Sequence, residues 1–290
     1  MAEIRILEPG DEEALEAFLL PRLESSMFLI GNTRASGLQD KGQPYHGTYA
    51  AAVERDEIIG VVAHYWNGNL IFQTPDCLEA LWRAAIEASG RPVRGLLGPQ
   101  AQVAAAIESL GLDTVTVQMD QTENLYSLIL AELMVPEGLR SGRLRGRRIT
   151  AADLDLITAW RVAFSVEALS EEENSRLWKG VRAGVKRTLR QGWTWLLEDE
   201  GKPVATSSFN TAITEAVQIG GVWTPPELRR RGYGRAAVAA SLLDARAEGA
   251  VMSILFTGVE NIAAQKAYTA LGYRHVGDYR IVLLRSVVEG

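Results

Sequence analysis

Two pairs of segments in this chain follow one pattern. Residues 71–90, IFQTPDCLEALWRAAIEASG, align with residues 221–249, GVWTPPELRRRGYGRAAVAASLLDARAEG, and residues 101–112, AQVAAAIESLGL, align with residues 262–273, IAAQKAYTALGY. The surroundings repeat as well: a strand and helices, a meander of three strands, then helix, strand and helix, then closing strands. Self-similarity on this scale demands two copies of one supersecondary plan rather than one continuous core, and 290 residues suit two domains. The boundary falls in VPEGLRSGRLRGRR, residues 135–148, where one proline, three glycines and five arginines interrupt the apolar pattern. Residues 1–138 and 143–290 are thus the expected domains.

In the first copy, runs at residues 4–7, 93–97, 114–119 and 125–135 read as strands, with helices over 12–20, 76–89 and 100–110. The region 27–47 lacks a clear period and reads as irregular or helical connections. YAAAVERDEIIGVVAHYWNGNLIFQT reads as a meander turning at RDE and NGN. The second copy opens with two amphipathic helices, continues in a meander from Trp193 to Thr224 turning at Glu200–Gly201, and closes on two final strands. The order predicts an α/β class of mixed sheets flanked by helices.

One device separates the copies. The second carries PPELRRRGYGRAA, and the first has an acidic, glycine-free start in its place. Glycines opening a helix leave first-turn N–H groups pointing outward as an anion site, and Gly232 and Gly234 let backbone approach a ligand without a Cβ in the way. Arg229, Arg230 and Arg231 place charge suited to phosphate oxygens beside it. The residues fit a pyrophosphate cradle. Three readings compete: a solvated helix start, a dinucleotide fingerprint, and a third that a family resemblance supplies. Gly232-Tyr-Gly234-Arg-Ala-Ala237 nominally satisfies G-x-G-x-x-A, but that fingerprint follows a strand directly and opens a βαβ unit, whereas here a meander and PPELRRR precede it.

Arg229-x-x-Gly232-x-Gly234 after a strand ending VWT resembles the cofactor motif of the GCN5-related N-acetyltransferases, the GNAT superfamily. A second motif of that superfamily is matched by Asn261, Ala264, Tyr268 and Gly272-Tyr273. The resemblance covers residues 143–288 well and is faint over 1–135, where it rests on the repeat. It implies two GNAT-like domains in tandem, the N-terminal one degenerate, each a mostly antiparallel sheet with splayed central parallel strands. It further implies acetyl-CoA as cosubstrate, with Val222, Trp223 and Thr224 pairing with the pantetheine arm. Arg229, Arg230, Arg231, Gly232, Tyr233, Gly234 and Arg235 would wrap the pyrophosphate, and Asn261 would touch the cofactor. Gly220-Gly221 lies where such strands bulge and splay.

For the chemistry, Tyr268 is implied as the acid that protonates the leaving sulfur, and backbone N–H groups around Val222–Thr224 would hold the thioester carbonyl. Gln218 stands where histone-modifying members place a glutamate base, and an amide cannot serve as that base. Glu215, Glu167 and Glu171–Glu173 are the neighbouring carboxylates, and a water chain or an amine arriving neutral is the other route. Cys77 would serve only an acyl-enzyme route from the half without the loop, and His275 reads as a packed strand residue. The expected function is acetyl transfer to a small-molecule or amino-acid-like primary amine in a ternary complex. Two alternatives stand beside it: a non-catalytic CoA-binding regulator and a tandem acyltransferase resembling mycothiol synthase.

Composition narrows the partners. A net charge of −6 argues against a general nucleic-acid binder. The single Cys77 excludes an intramolecular disulfide and suits a reducing compartment. His46, His64 and His275 lack metal-ligand spacing, so no metal is expected. The start, MAEIRILEPGDEEALEAFLL, is too acidic and broken for a signal peptide, and no apolar run approaches the roughly 18 residues of a membrane span. A cytoplasmic monomer or homodimer is expected.

Overall fold

The computed structural model describes residues 2–112, 116–169 and 171–288. Its elements in chain order are β1 (Glu3–Ile6), α1 (Glu12–Leu19), α2 (Leu23–Ser36), β2 (Gly47–Glu54), β3 (Glu57–Tyr65), β4 (Asn69–Gln73), α3 (Leu78–Ser89), β5 (Val93–Pro99), α4 (Gln100–Ser109), β6 (Val117–Ile129) and α5 (Glu137–Arg140). The second half continues with β7 (Leu144–Arg148), α6 (Leu154–Leu169), α7 (Ser175–Gln191), β8 (Thr194–Asp199), β9 (Lys202–Ala212), β10 (Ala216–Trp223), α8 (Tyr233–Ala247), β11 (Met252–Gly258), α9 (Ile262–Thr269) and β12 (Arg274–Val288).

The chain divides into two compact units. One comprises Met1–Leu125, Thr257–Glu260 and Val276–Gly290, and the other Tyr126–Phe256 and Asn261–His275. In the first unit the strand order runs β1-β2-β3-β4-β5-β12. β1 to β4 pair antiparallel in succession, and β4 pairs parallel with β5. β12 then lies antiparallel on β5, with Tyr279 opposite Pro99 and Leu283 opposite Gly95. Val282 and Leu284 join the core built on Leu70, Phe72, Leu81, Trp82 and Leu96. The last strand of the sequence thereby completes the sheet of the first unit.

The second unit has the order β6-β11-β10-β9-β8-β7, with β10 and β11 its parallel pair. Helix α8 packs against β7, β8, β9 and β10. Its small residues allow the close approach: Ala236, Ala237, Ala239 and Ala240 are buried, and Gly146 of β7 leaves the room that Ala240 occupies. Trp195, Val217, Ile219, Leu242 and Leu255 share the core on this side. α6 and α7 pack together, α6 lies against β10, and Ile149, Ile157, Val185 and Leu196 form a separate core cluster. Each unit is thus a mixed, mostly antiparallel sheet flanked by helices, as the element order predicts.

Three local expectations change. The separate strands at 114–119 and 125–135 are, over the described residues, one strand followed by a short 3₁₀ turn; residues 114 and 115 lie outside the described set. The polar run DQTEN between the two expected strands stays extended, and Asp120 there pairs with Arg280 of β12 at 2.7 Å. The two closing strands are likewise one long β12. The aperiodic stretch after Met27 contains the end of α2, whose apolar period is broken because polar Ser26 and Thr33 share the buried face with Leu23, Met27, Leu29 and Ile30.

Candidate acyl-transfer site

The parallel ladder between β10 and β11 runs from Ala216 opposite Met252 to Ile219 opposite Leu255 and stops there. Beyond it, Gly220–Trp223 keeps its other neighbour, β9, with register shifts at Gln218/Ile219 and between Gly220 and Trp223. This is the expected splay: the peptide groups of Val222 and Trp223 have no strand partner on the β11 side. Gly221 sits at φ +59°, the left-handed region that favours glycine.

After Trp223 the chain turns through Pro225 and a short 3₁₀ segment, Pro226–Leu228, into the arginine run. Arg230 takes φ +63° and Gly232 φ +78°, and Gly232 is the N-cap of α8 with no side-chain cap. The first-turn N–H groups of α8 are therefore left for a ligand. Gly234 lies against the end of β10, where a Cβ would come 3.3 Å from Thr224 Oγ1 and 3.7 Å from Val222 Cγ1. Arg235 Nε is shielded from solvent with no hydrogen-bond partner among the described residues. An uncapped helix start, a left-handed glycine and an unsatisfied guanidinium nitrogen fit a pyrophosphate.

The remaining loop residues have defined places. Arg230 and Arg231 are exposed. Tyr233 is turned inward, its hydroxyl donating to Asp199 at 2.6 Å and helping hold that carboxyl below its ordinary value, so only its backbone faces the loop. Arg229 forms a two-point pair with Glu167 at 2.8 and 2.9 Å, donates from Nε to the Thr224 carbonyl at 3.0 Å, and lies 4.8 Å over the Trp223 ring. Asn261 caps α9, accepting from Ala264 N at 3.1 Å. Tyr268, on the last turn of α9, is buried edge-on against Tyr273 at 5.9 Å. Glu173 accepts from Trp178 Nε1, and His275 stacks on Tyr126.

Three residues escape a reading of the sequence alone. Arg161 of α6 points at β10, and its Nη1 occupies the place a side chain on Gly221 would take. The Asn210 amide does the same above Gly220. The glycine pair that was expected to serve a bulge thus also clears room for two polar side chains. Arg161 Cζ lies 5.0 Å over the Phe164 ring, and Phe164 meets Trp223 edge-on at 6.4 Å. A ladder of Arg161, Phe164, Trp223 and Arg229 therefore runs along the end of β10. Arg161 Nη1 is sealed from solvent and has no hydrogen-bond partner among the described residues, and burial pushes the guanidinium pKa below its ordinary value. On the strand itself Gln218 is fully buried, with neither amide atom partnered among the described residues.

The first copy differs at the matching positions. α3 starts after Cys77, at φ +60°, with no glycine in its first turn. Past the parallel ladder of β4 and β5, Gly98 lies so near the next strand that a Cβ would be 3.0 Å from the Phe72 carbonyl. These strands stay close where β10 and β11 part.

Residues 155–273 match the model of the acetyltransferase (GNAT) family. That stretch is a GNAT acetyltransferase domain, and the class it defines is an acyltransferase. Among solved structures the chain is similar to a Drosophila protein from structural genomics, with a TM-score of 0.67 at 14% identity over 98% of this chain and 99% of the other. It is similar to a GNAT-family acetyltransferase from Colwellia psychrerythraea, with a TM-score of 0.56 at 15% identity, covering 97% and 99%. A tandem GNAT protein from the clavulanic acid biosynthesis pathway gives 0.56 at 14% identity, covering 97% and 98%. At these identities the likeness is one of fold. No curated protein matches the sequence. No helix among the described residues is long and apolar enough to cross a membrane, and no cluster of three or more His, Cys, Asp or Glu among them could hold a metal ion.

Proposed function

We propose that the second unit transfers an acetyl group from acetyl-CoA to the primary amine of a small, amino-acid-like molecule within a ternary complex. The observation that carries this reading is the parting of β10 from β11 directly beside the uncapped, glycine-opened start of α8. Pantetheine pairs with the free edge of Val222 and Trp223, and the pyrophosphate rests on the first turn of α8. The amine lone pair attacks the thioester carbon, the carbon–sulfur bond breaks, and Tyr268 gives its proton to the departing sulfur while the amine proton leaves to water. A thiol with a pKa near 8.5 is a modest base, so this proton assists the reaction without being indispensable. With Gln218 at the strand position of a base, the amine reacts in its neutral form.

The first unit, in this reading, is a copy that does not bind CoA, because its strands stay close and its helix start lacks glycine. The test is CoA release from acetyl-CoA across a panel of small amines. Amine-dependent release that Tyr268→Phe slows supports transfer. Tight acetyl-CoA binding with no release beyond hydrolysis for any amine would contradict it.

A further inference from the structure

Arg161 raises a question that the transfer reaction alone does not answer. A guanidinium stays charged in proteins, and a charge shielded from water without a partner is costly. Here Nη1 is shielded and unpartnered, and no carboxylate among the described residues pairs with Arg161. Among the described residues its ring contact is Phe164, which leaves Nη1 uncommitted. The sequence makes room for it: Gly221 has no side chain where Nη1 lies. Gln218, three residues earlier on the same strand, is a second buried polar group without a hydrogen-bond partner among the described residues. Its neighbours Val217 and Ile219 face the core against α8, so by strand alternation Gln218 faces the other way.

We infer that Arg161 binds a carboxylate carried by the substrate at the transfer end of the site, with the acceptor an amino acid rather than a plain amine. The geometry favours a small planar anion. Arg161 comes from a helix packed on β10 and reaches the strand where it parts from β11, beside the expected thioester rather than beside the phosphates. A planar fork matches a carboxylate, and the Asn210 amide at Gly220 supplies a further polar group beside the same glycine pair. The carboxylate has two possible sources, the acceptor or the free end of a dicarboxylic acyl chain. Both present the same chemistry to Arg161, and the first fits a compact acetyl donor.

This inference rests on the proposed transfer reaction, and the experiment separates the two. CoA release is measured with acetyl-CoA and glycine, β-alanine, L-alanine and L-glutamate, each against its amide, for the native protein, Arg161→Gln and Arg161→Lys. Succinyl-CoA with the amides forms a second arm. In the native protein the carboxylates are expected to be preferred. Arg161→Gln should lower their kcat/KM on the order of 100-fold and leave the amides within about 3-fold, because only the charged hydrogen bonds are lost. Arg161→Lys should restore part of the preference. The same selective loss in the succinyl-CoA arm would place the carboxylate on the acyl chain. An equal loss for carboxylates and amides, or no preference in the native protein, overturns the inference while leaving transfer intact. If no amine releases CoA, calorimetry of the amino acids with the CoA-loaded protein decides the point. Binding that Arg161→Gln abolishes sustains the carboxylate site without transfer, and binding indifferent to Arg161, or none, overturns it. Melting temperature accompanies every variant, and since no partner of Arg161 is stranded by its removal, both are expected to fold.

Discussion

Arg229 and Glu167, 62 residues apart, meet in a two-point ion pair that ties the last turns of α6 to the loop ahead of α8. The pair is exposed, at 37% and 52%, so its net contribution is small, about 0.2–1 kcal/mol. Arg229 does more than pair: it also holds the Thr224 carbonyl and covers Trp223 at the end of β10. Glu167→Gln is therefore expected to change acetyl-CoA affinity within about 5-fold. Arg229→Ala should weaken it on the order of 10-fold or more, because the charge and the support of the strand end go together. Titration of both variants checks this, and equal losses would assign the whole effect to the ion pair.

Tyr268 is expected to act through its hydroxyl alone. The ring is packed against Tyr273 at 5.9 Å within the core, and phenylalanine keeps that packing. Tyr268→Phe should retain acetyl-CoA affinity while the chemical step slows toward the low end of the roughly 10²–10⁴-fold usual for a lost general acid. Gln218→Ala removes no base and should slow it far less. Rapid-quench rates at saturating acetyl-CoA read the step directly, and a full-speed Tyr268→Phe would leave the residue a packing role.

The parts of this site legible in the sequence are those written in contiguous residues. The glycine-arginine run announces an uncapped, glycine-opened helix start because its turn geometry is local, and the place of Tyr268 on α9 follows from a motif only a few residues long. Arg161 is invisible by the same reasoning. On α6 it is one charged residue in an amphipathic helix, and only the tertiary approach of that helix to Gly221 gives it meaning. The glycine pair is visible by residue type, but nothing in the strand names what fills the cleared space. Strand partners are equally hidden: β12 closes the second repeat in sequence, yet it hydrogen-bonds to β5 of the first. A side-chain pattern states which face is apolar and leaves the neighbouring strand open.

Acid should weaken the protein through His64. This side chain is fully buried on β3, its Nδ1 2.7 Å from Ser89 Oγ. Burial, aided by the Arg91 charge, pushes its pKa down to about 4 from 6.5. Below pH 6.5 the unfolded chain takes up a proton that the folded state resists, so stability falls as pH drops from about 6.5 to about 4 and this contribution then levels off. Between pH 7 and pH 5 the loss from this one group is about 2 kcal/mol. Urea midpoints at the two pH values, for the native protein and His64→Gln, test it. The variant should lose the part of the slope that His64 causes, and an unchanged slope would remove His64 from the account.

CoA is expected to be held at the start of α8 and nowhere else in the chain, and calorimetric titration of acetyl-CoA counts its sites. Gly234→Val would drive a branched side chain into Thr224, which already lies 3.3 Å from the Cβ position, and Gly232→Val would force a β-branched residue to φ +78°. One site per chain is expected in the native protein, and Gly234→Val should lose that site with melting still cooperative and the circular dichroism unchanged. Two equivalent sites per chain, or a site that survives Gly234→Val at native affinity, would contradict it.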